Sequence, residues 1–243
     1  MKKTYLKTIL IILLSVSFLV ACGQIPASKN NGKSEQYTIV TSFYPIYLAT
    51  LNVAKNIPNV QVINMTEPQT GCLHDYQLAP KDLKTLENAD VFVINGAGME
   101  AFMDKVISQM PELKIIEASQ GIKLIKNTTD GTDNVHVWVS ITDAILQVKT
   151  IGAQLAVADP PHAEEYTKNV AVYVEKLESL KAKMHKELDK LAKRDIVTMH
   201  EAFPYFAKEF NLNIVAIVER EPGSAPSAGE LAATIEKIKK SGV

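Results

Sequence analysis

DPPHAEEYTKNVAVYVEKLESLKAKMHKELDKLAK, residues 159–193, is the stretch that decides the fold. Asp159 followed by Pro160 and Pro161 is a helix start, with an acidic cap and prolines whose fixed φ suits a first turn. Behind it Tyr166, Val170, Tyr173, Leu177, Leu180, Met184, Leu188 and Leu191 step by threes and fours, which makes one apolar stripe on a helix. At 1.5 Å per residue such a helix is about 50 Å long, more than the width of a small domain. A coiled coil would carry the same stripe. A strut packed along two flanking domains fits better, because strand–helix units lie on both sides of it. His162, in the first turn, and His185, one position past Met184, are expected to face solvent. The Glu/Lys pairs through 181–193 read as a solvated face.

Upstream of the strut, β-branched runs alternate with amphipathic helices. Strands are predicted at 37–42, 60–65, 90–95 and 114–118, and helices at 45–56, 80–89 and 100–110. Ser140 with Asp143 caps a further helix reaching Ala158. Downstream come a strand at 196–199, a helix at 203–210 and a strand at 213–218. A capping box, Ser227 with Glu230, then opens a helix over 228–240. Alternation of this kind implies an α/β protein with mostly parallel sheets. The domains read as an N-terminal α/β lobe over 37–158, a long linking helix over 159–193, and a second α/β lobe over 194–243. Two strands and two helices make an incomplete lobe, so the expectation is a truncated C-terminus.

Residues 1–22, MKKTYLKTILIILLSVSFLVAC, place three lysines before an apolar run, the layout of an export signal too short to be a confident membrane span. Leu19-Val20-Ala21-Cys22 is similar to the lipobox of bacterial lipoproteins, in which Cys22 would carry lipid; an ordinary cleaved signal is the alternative. Residues 23–36 read as a flexible tether. Loss of residues 1–21 removes three lysines and no acid, and the formal net charge moves from −1 to −4. A mildly acidic body offers no electrostatic footprint for nucleic acid. Cys72 is the one cysteine besides Cys22, so no internal disulfide forms. It could be a soft ligand, but the habits of free cysteine favour a small buried residue.

Three histidines stand where a predicted strand gives way to a loop or helix: His74 in GCLHDYQLAP, His136 in DNVHVWVS and His200 in IVTMHEAF. Strand ends are where open α/β sheets present ligands, and neutral imidazole is a common ligand for zinc-like metals. Asp75 and Glu201 adjoin two of them, as acceptors that orient the rings, as a substitute ligand in the case of Glu201, or as solvated loop carboxylates. Trp138 either walls the site from water or belongs to the core.

Taken together, the lipobox, TSFYPIY at 41–47, GCLHDYQLAP at 71–80, ENADVFVINGAGMEAF at 87–102, DNVHVWVS at 133–140, HEAFPYFAKEFNL at 200–212 and EPGSAPSAGEL at 221–231 resemble the solute-binding lipoproteins of zinc and manganese ABC importers. The resemblance implies two α/β lobes joined by one long rigid helix, with the metal in the cleft between them. It implies that His74, His136 and His200 are the first three metal ligands. The family's fourth, an aspartate nearer the C-terminus, has no counterpart here. It also implies a monomer outside the cytoplasm, lipid-anchored to the cell membrane, that hands its ion to an ABC permease and its ATPase subunit. Three imidazoles suit Zn²⁺; Mn²⁺ is harder, and manganese members tend to carry a carboxylate at the position of His200. Against zinc, residues 126–133 lack the His-rich loop common in zinc members. A Mn²⁺ receptor is therefore the alternative. A zinc hydrolase using Glu201 or Asp75 as base is a further one, although neither H-E-x-x-H nor G-x-S-x-G occurs. Some family members are regarded as adhesins, so cell adhesion is a third possible role.

Overall fold

The computed structural model describes residues 36–66, 73, 76–127, 131–218 and 226–243. Within them the chain is α/β with parallel sheets and one long helix, as expected. Strands β1 (Tyr37–Thr41), β2 (Val60–Asn64), β3 (Val91–Ile94) and β4 (Lys114–Glu117) form a sheet of order β2-β1-β3-β4, every pair parallel. Strand β3, VFVI, is buried at all four positions because helices or turns cover both faces of a parallel sheet. Its residues alternate as the pleat requires. Val91 and Val93 join Ile39 and Ile116 under helices α1 (Tyr44–Val53), α4 (Ile141–Ala158) and α5 (Ala163–Leu188). Phe92 and Ile94 join Val40 on the other face, with Leu86 of α2 (Pro80–Glu87) and Met103.

Helix α5 is the strut. Tyr166, Val170, Tyr173, Val174 and Leu177 pack on the core of the four-stranded sheet. Val174 and Leu177 also belong to a second cluster, with Met184, Leu188, Ile141, Ile145, Phe206 and Phe210. One helix face thus lines two cores. Leu180 and Leu191 are exposed, and Val174, outside the predicted stripe, lies on the packed face.

Beyond α5, strands β5 (Asp195–Thr198) and β6 (Asn213–Ile217) pair in parallel, with α6 (Pro204–Glu209) between them in sequence and α7 (Ala228–Ser241) after. The predicted caps are present: Ser140 Oγ accepts from Asp143 N at 3.1 Å, and Ser227 with Glu230 makes its capping box.

Three local expectations need correction. The strut ends at Leu188 rather than near Lys193, because Arg194 folds back and donates to the carbonyls of Leu188 (3.0 Å) and Asp189 (2.5 Å). The predicted helix over 100–110 is a 3₁₀ turn, Ala101–Met103, followed by the short α3 (Asp104–Ile107). Left-handed Gly96, Ala97 and Gly98 lead into it, and Pro111 stops it. His162 and His185 do not simply face water. His162 Nδ1 lies 2.8 Å from Asp159 Oδ2, and His185 Nδ1 lies 3.1 Å from Asp189 Oδ2, its ring 4.8 Å from that of Phe210. No described helix is long and apolar enough to cross a membrane.

Candidate metal centre

The site begins with a local turn. In Asn134-Val135-His136 the Asn134 Oδ1 accepts from His136 N at 3.0 Å, an Asx turn that breaks the chain before the 3₁₀ turn Val137–Val139. The same oxygen lies 3.1 Å from His136 Nδ1. The Asn134 amide can face only one way, because its Nδ2 donates to Asn127 Oδ1 and to the Glu201 carbonyl, each at 2.8 Å. Oδ1 is therefore an acceptor toward His136, Nδ1 carries the proton, and the lone pair sits on Nε2. His136 is only 3% exposed. Its ring packs on Trp138 at 5.2 Å, and Trp138 meets buried Phe43 edge-on at 4.9 Å. Trp138 thus does both things asked of it: it joins the core and covers the imidazole.

His200 arrives from the opposite side of the strut in sequence, two residues past the end of β5. Its Nε2 lies 3.1 Å from His136 Nε2, with the rings nearly perpendicular at 85°. At zinc–nitrogen bonds of about 2.05 Å, nitrogens 3.1 Å apart subtend about 98° at a shared ion, close to a tetrahedral angle. In the absence of an ion the same spacing suits one imidazole donating to the other, so cation and proton compete for one place.

Beneath the pair is a buried polar frame at the carboxyl ends of β1 and β3. Asn95 Nδ2 donates to the Val135 carbonyl at 3.0 Å, and Asn95 Oδ1 accepts from Gln147 Nε2 at 2.9 Å. Glu100 accepts from Ser42 Oγ (2.7 Å), Asn95 N (2.8 Å) and Gly96 N (3.0 Å). Burial raises the Glu100 carboxyl to about 7 against the pull of those three donors. On the other side Tyr205 OH donates to the Asn134 carbonyl at 2.7 Å and accepts from Ile125 N at 3.0 Å.

Of the predicted ligands, His136 and His200 are brought together. His74 and Asp75 lie outside the described residues, as do Cys72, Cys22, the lipobox and the tether to residue 35. Leu73, on one side of His74, is fully buried in the main core, and Tyr76, on the other, donates to Asp82 Oδ2 at 2.8 Å. Glu201 is 8% exposed rather than solvated, and its carbonyl is held by Asn134. No three metal-binding side chains cluster among the described residues. Sequence reasoning missed Asn134, Tyr205 and Gln147. Asn two residues before His was a readable Asx-turn signal; the other two gave none.

Residues 39–243 match the model of the family described as zinc-uptake complex component A, periplasmic. The chain belongs to this family. Its members are binding proteins, not enzymes. The high-affinity zinc uptake system protein ZnuA of Bacillus subtilis is 31% identical over 232 residues, covering 88% of this chain and 71% of that protein. The zinc-binding lipoprotein AdcA of Streptococcus pneumoniae is 32% identical over 250 residues, with 96% of this chain and 48% of AdcA covered, so the chain spans about half of that relative. The crystal structure of Zn(II)-bound AdcA matches with a TM-score of 0.74 over 84% of this chain and 44% of that one. The SBP FpvC of Pseudomonas aeruginosa in complex with Mn²⁺ matches at 0.75 and 30% identity, over 86% of this chain and 78% of that one. The family's fold is the two-lobed one with a long helix, and α5 is that helix.

Proposed function

We propose that this family member captures Zn²⁺ outside the cytoplasm and delivers it to an ABC importer. The observation that carries the reading is the His136–His200 pair, its Nε2 atoms 3.1 Å apart and one tautomer fixed by Asn134. His74 is the third ligand. Glu201 or Asp75 completes or orients the set. The lobes are 37–158 and 194–243, joined by the segment 159–193, and the ion sits between them. Lipid on Cys22, after the signal of residues 1–22, holds the monomer at the membrane through the tether 23–36, beside the permease and its ATPase subunit.

Zinc is preferred over manganese on ligand chemistry: imidazole nitrogens suit Zn²⁺, whereas Mn²⁺ favours oxygen donors. The Mn²⁺ complex of FpvC keeps a manganese receptor as the second reading. Capture exchanges a proton for the ion, because the ligands must be neutral imidazoles, so uptake weakens in acid. Thermal unfolding of the metal-stripped chain with Zn²⁺ and Mn²⁺ in parallel tests the reading. Zinc at a hundredfold excess over its dissociation constant should add about 2.7 kcal/mol of stability. A shift with manganese alone would reverse the assignment, and no shift with either would end it.

A further inference from the structure

The carboxylate of Glu209, the last residue of α6, is the least expected feature near the pair. Its side chain is 7% exposed. Its oxygens are directed at the first turn of α4: Oε2 accepts from Ser140 Oγ at 2.6 Å and Thr142 N at 3.3 Å, and Oε1 from Thr142 Oγ1 at 2.5 Å. An anion is at home there, since the leading N–H groups of an 18-residue helix lack intrahelical acceptors and carry its positive end. Burial pushes the Glu209 carboxyl up. The hydrogen bonds from Ser140 and Thr142, with Lys181, outweigh burial and hold it below the usual range. The other charged neighbours are Asp143, in the same turn, and His185 of α5, whose Nε2 is 4.0 Å from Oε1 and whose Nδ1 is on Asp189.

The two ends of this contact lead to the two rings. Ser140 follows His136 through a single 3₁₀ turn, and Glu209 follows His200 through one short helix. A second tie joins the same segments, Asn134 Nδ2 to the Glu201 carbonyl and Tyr205 OH to the Asn134 carbonyl. The second tie acts beside His136 itself, through Asn134, and the first acts four residues on, at Ser140. The Glu209 contact fixes the rotation of the α4 start, from which the His136 turn hangs.

We infer that Glu209 is a positioning residue for the metal pair: it clamps the His200-bearing segment to the helix behind His136 and so sets the spacing of the two nitrogens without touching the ion. This rests on the zinc reading above. A glutamine at 209 keeps the shape but removes the charge at the helix start, and its NH₂ group must displace the hydrogen bond that Thr142 Oγ1 donates. The α4 turn is then held more weakly.

The test measures Zn²⁺ affinity of the chain by competition with a chromophoric chelator, and the visible spectrum of its Co²⁺ form, which reports ligand geometry. The variants are Glu209→Gln, Thr142→Val and, as a charge control away from α4, Glu187→Gln, whose exposed carboxylate meets Lys190. Glu209→Gln and Thr142→Val should each weaken zinc by about tenfold, as loss of a ligand's supporting partner does, with an altered Co²⁺ spectrum. Glu187→Gln should leave both unchanged. Normal zinc affinity in the first two variants, or weaker zinc with an unaltered Co²⁺ spectrum, overturns the inference. If Glu209→Gln does not fold, Thr142→Val decides alone. Failure of the unsubstituted chain to bind Zn²⁺ overturns the zinc reading itself, which keeps the two failures apart.

Discussion

Gly152→Ala is a small change with a calculable cost. Gly152 lies buried on α4 where it crosses the strut. A Cβ built there falls 2.2 Å from Val170 Cγ2 of α5, with Val170 Cβ at 3.5 Å and Val53 Cγ1 at 3.7 Å. Real Cβ contacts do not come below 3.0 Å, so the methyl group lacks about 0.8 Å of room. Val170 is β-branched and held to one rotamer in a helix, so it cannot swing aside at no cost, and the two helices must part. Overpacking of this kind costs about 1–3 kcal/mol, and a clash this short belongs at the upper end. Alanine returns about 1 kcal/mol through its better helix propensity. The net loss is about 2 kcal/mol, which for a chain of this size lowers Tm by about 4–8 °C. Thermal unfolding of metal-free wild type, Gly152→Ala, Val170→Ala and the double variant forms a cycle. The double variant should be more stable than additivity predicts by about 2–3 kcal/mol, because the clash is gone. A Gly152→Ala protein at or above the wild-type Tm, or an additive cycle, would refute the close seating of the strut on α4.

Asn134→Ala should weaken zinc about 10–100-fold, since it removes the acceptor that fixes the His136 tautomer, and a chelator competition reads it directly. Stability should fall as well, because buried hydrogen bonds from Asn134 to the Glu201 carbonyl and from the His136 N–H to Asn134 are lost. Glu100 should impose a pH dependence on stability. Its carboxyl is raised from 4.5 to about 7 in the folded chain, so the cost of burying its charge is absent below pH 4.5 and complete above pH 7. Between those limits wild type should lose about 3 kcal/mol with rising pH that Glu100→Gln does not lose. Denaturant unfolding of the metal-free proteins at pH 5 and pH 7.5 checks it, and parallel pH profiles would contradict it.

The strands and the helix caps were legible because they are local. VFVI must be buried on both faces, and Ser140 and Ser227 announce the helices they cap. The strut was legible from its stripe, but its end was not. Arg194 reaches back to the carbonyls of Leu188 and Asp189, and also to that of Phe210, a contact that exists only once α6 has folded against α5. The same return of α6 brings Phe210 and Glu209 to His185, which a stripe alone puts at the edge of the solvent face. The break in the predicted 100–110 helix has a tertiary cause too. Glu100 turns inward to accept from Ser42, which is 58 residues away in the chain. At the metal centre, residue type was enough to nominate His136 and His200, but only His200 follows a strand, and His136 instead opens a 3₁₀ turn. The frame that orients them links Asn95, Gln147, Asn134 and Tyr205 across long sequence separations, and only the Asx turn at Asn134 left a mark in the sequence.

The most direct test of the central claim is a Zn²⁺ titration of the metal-stripped chain against a chelator of known affinity, alongside His136→Ala and His200→Ala. The account predicts one tightly held zinc per chain, and a loss of orders of magnitude in affinity from either substitution. Unchanged zinc affinity in either variant would contradict it.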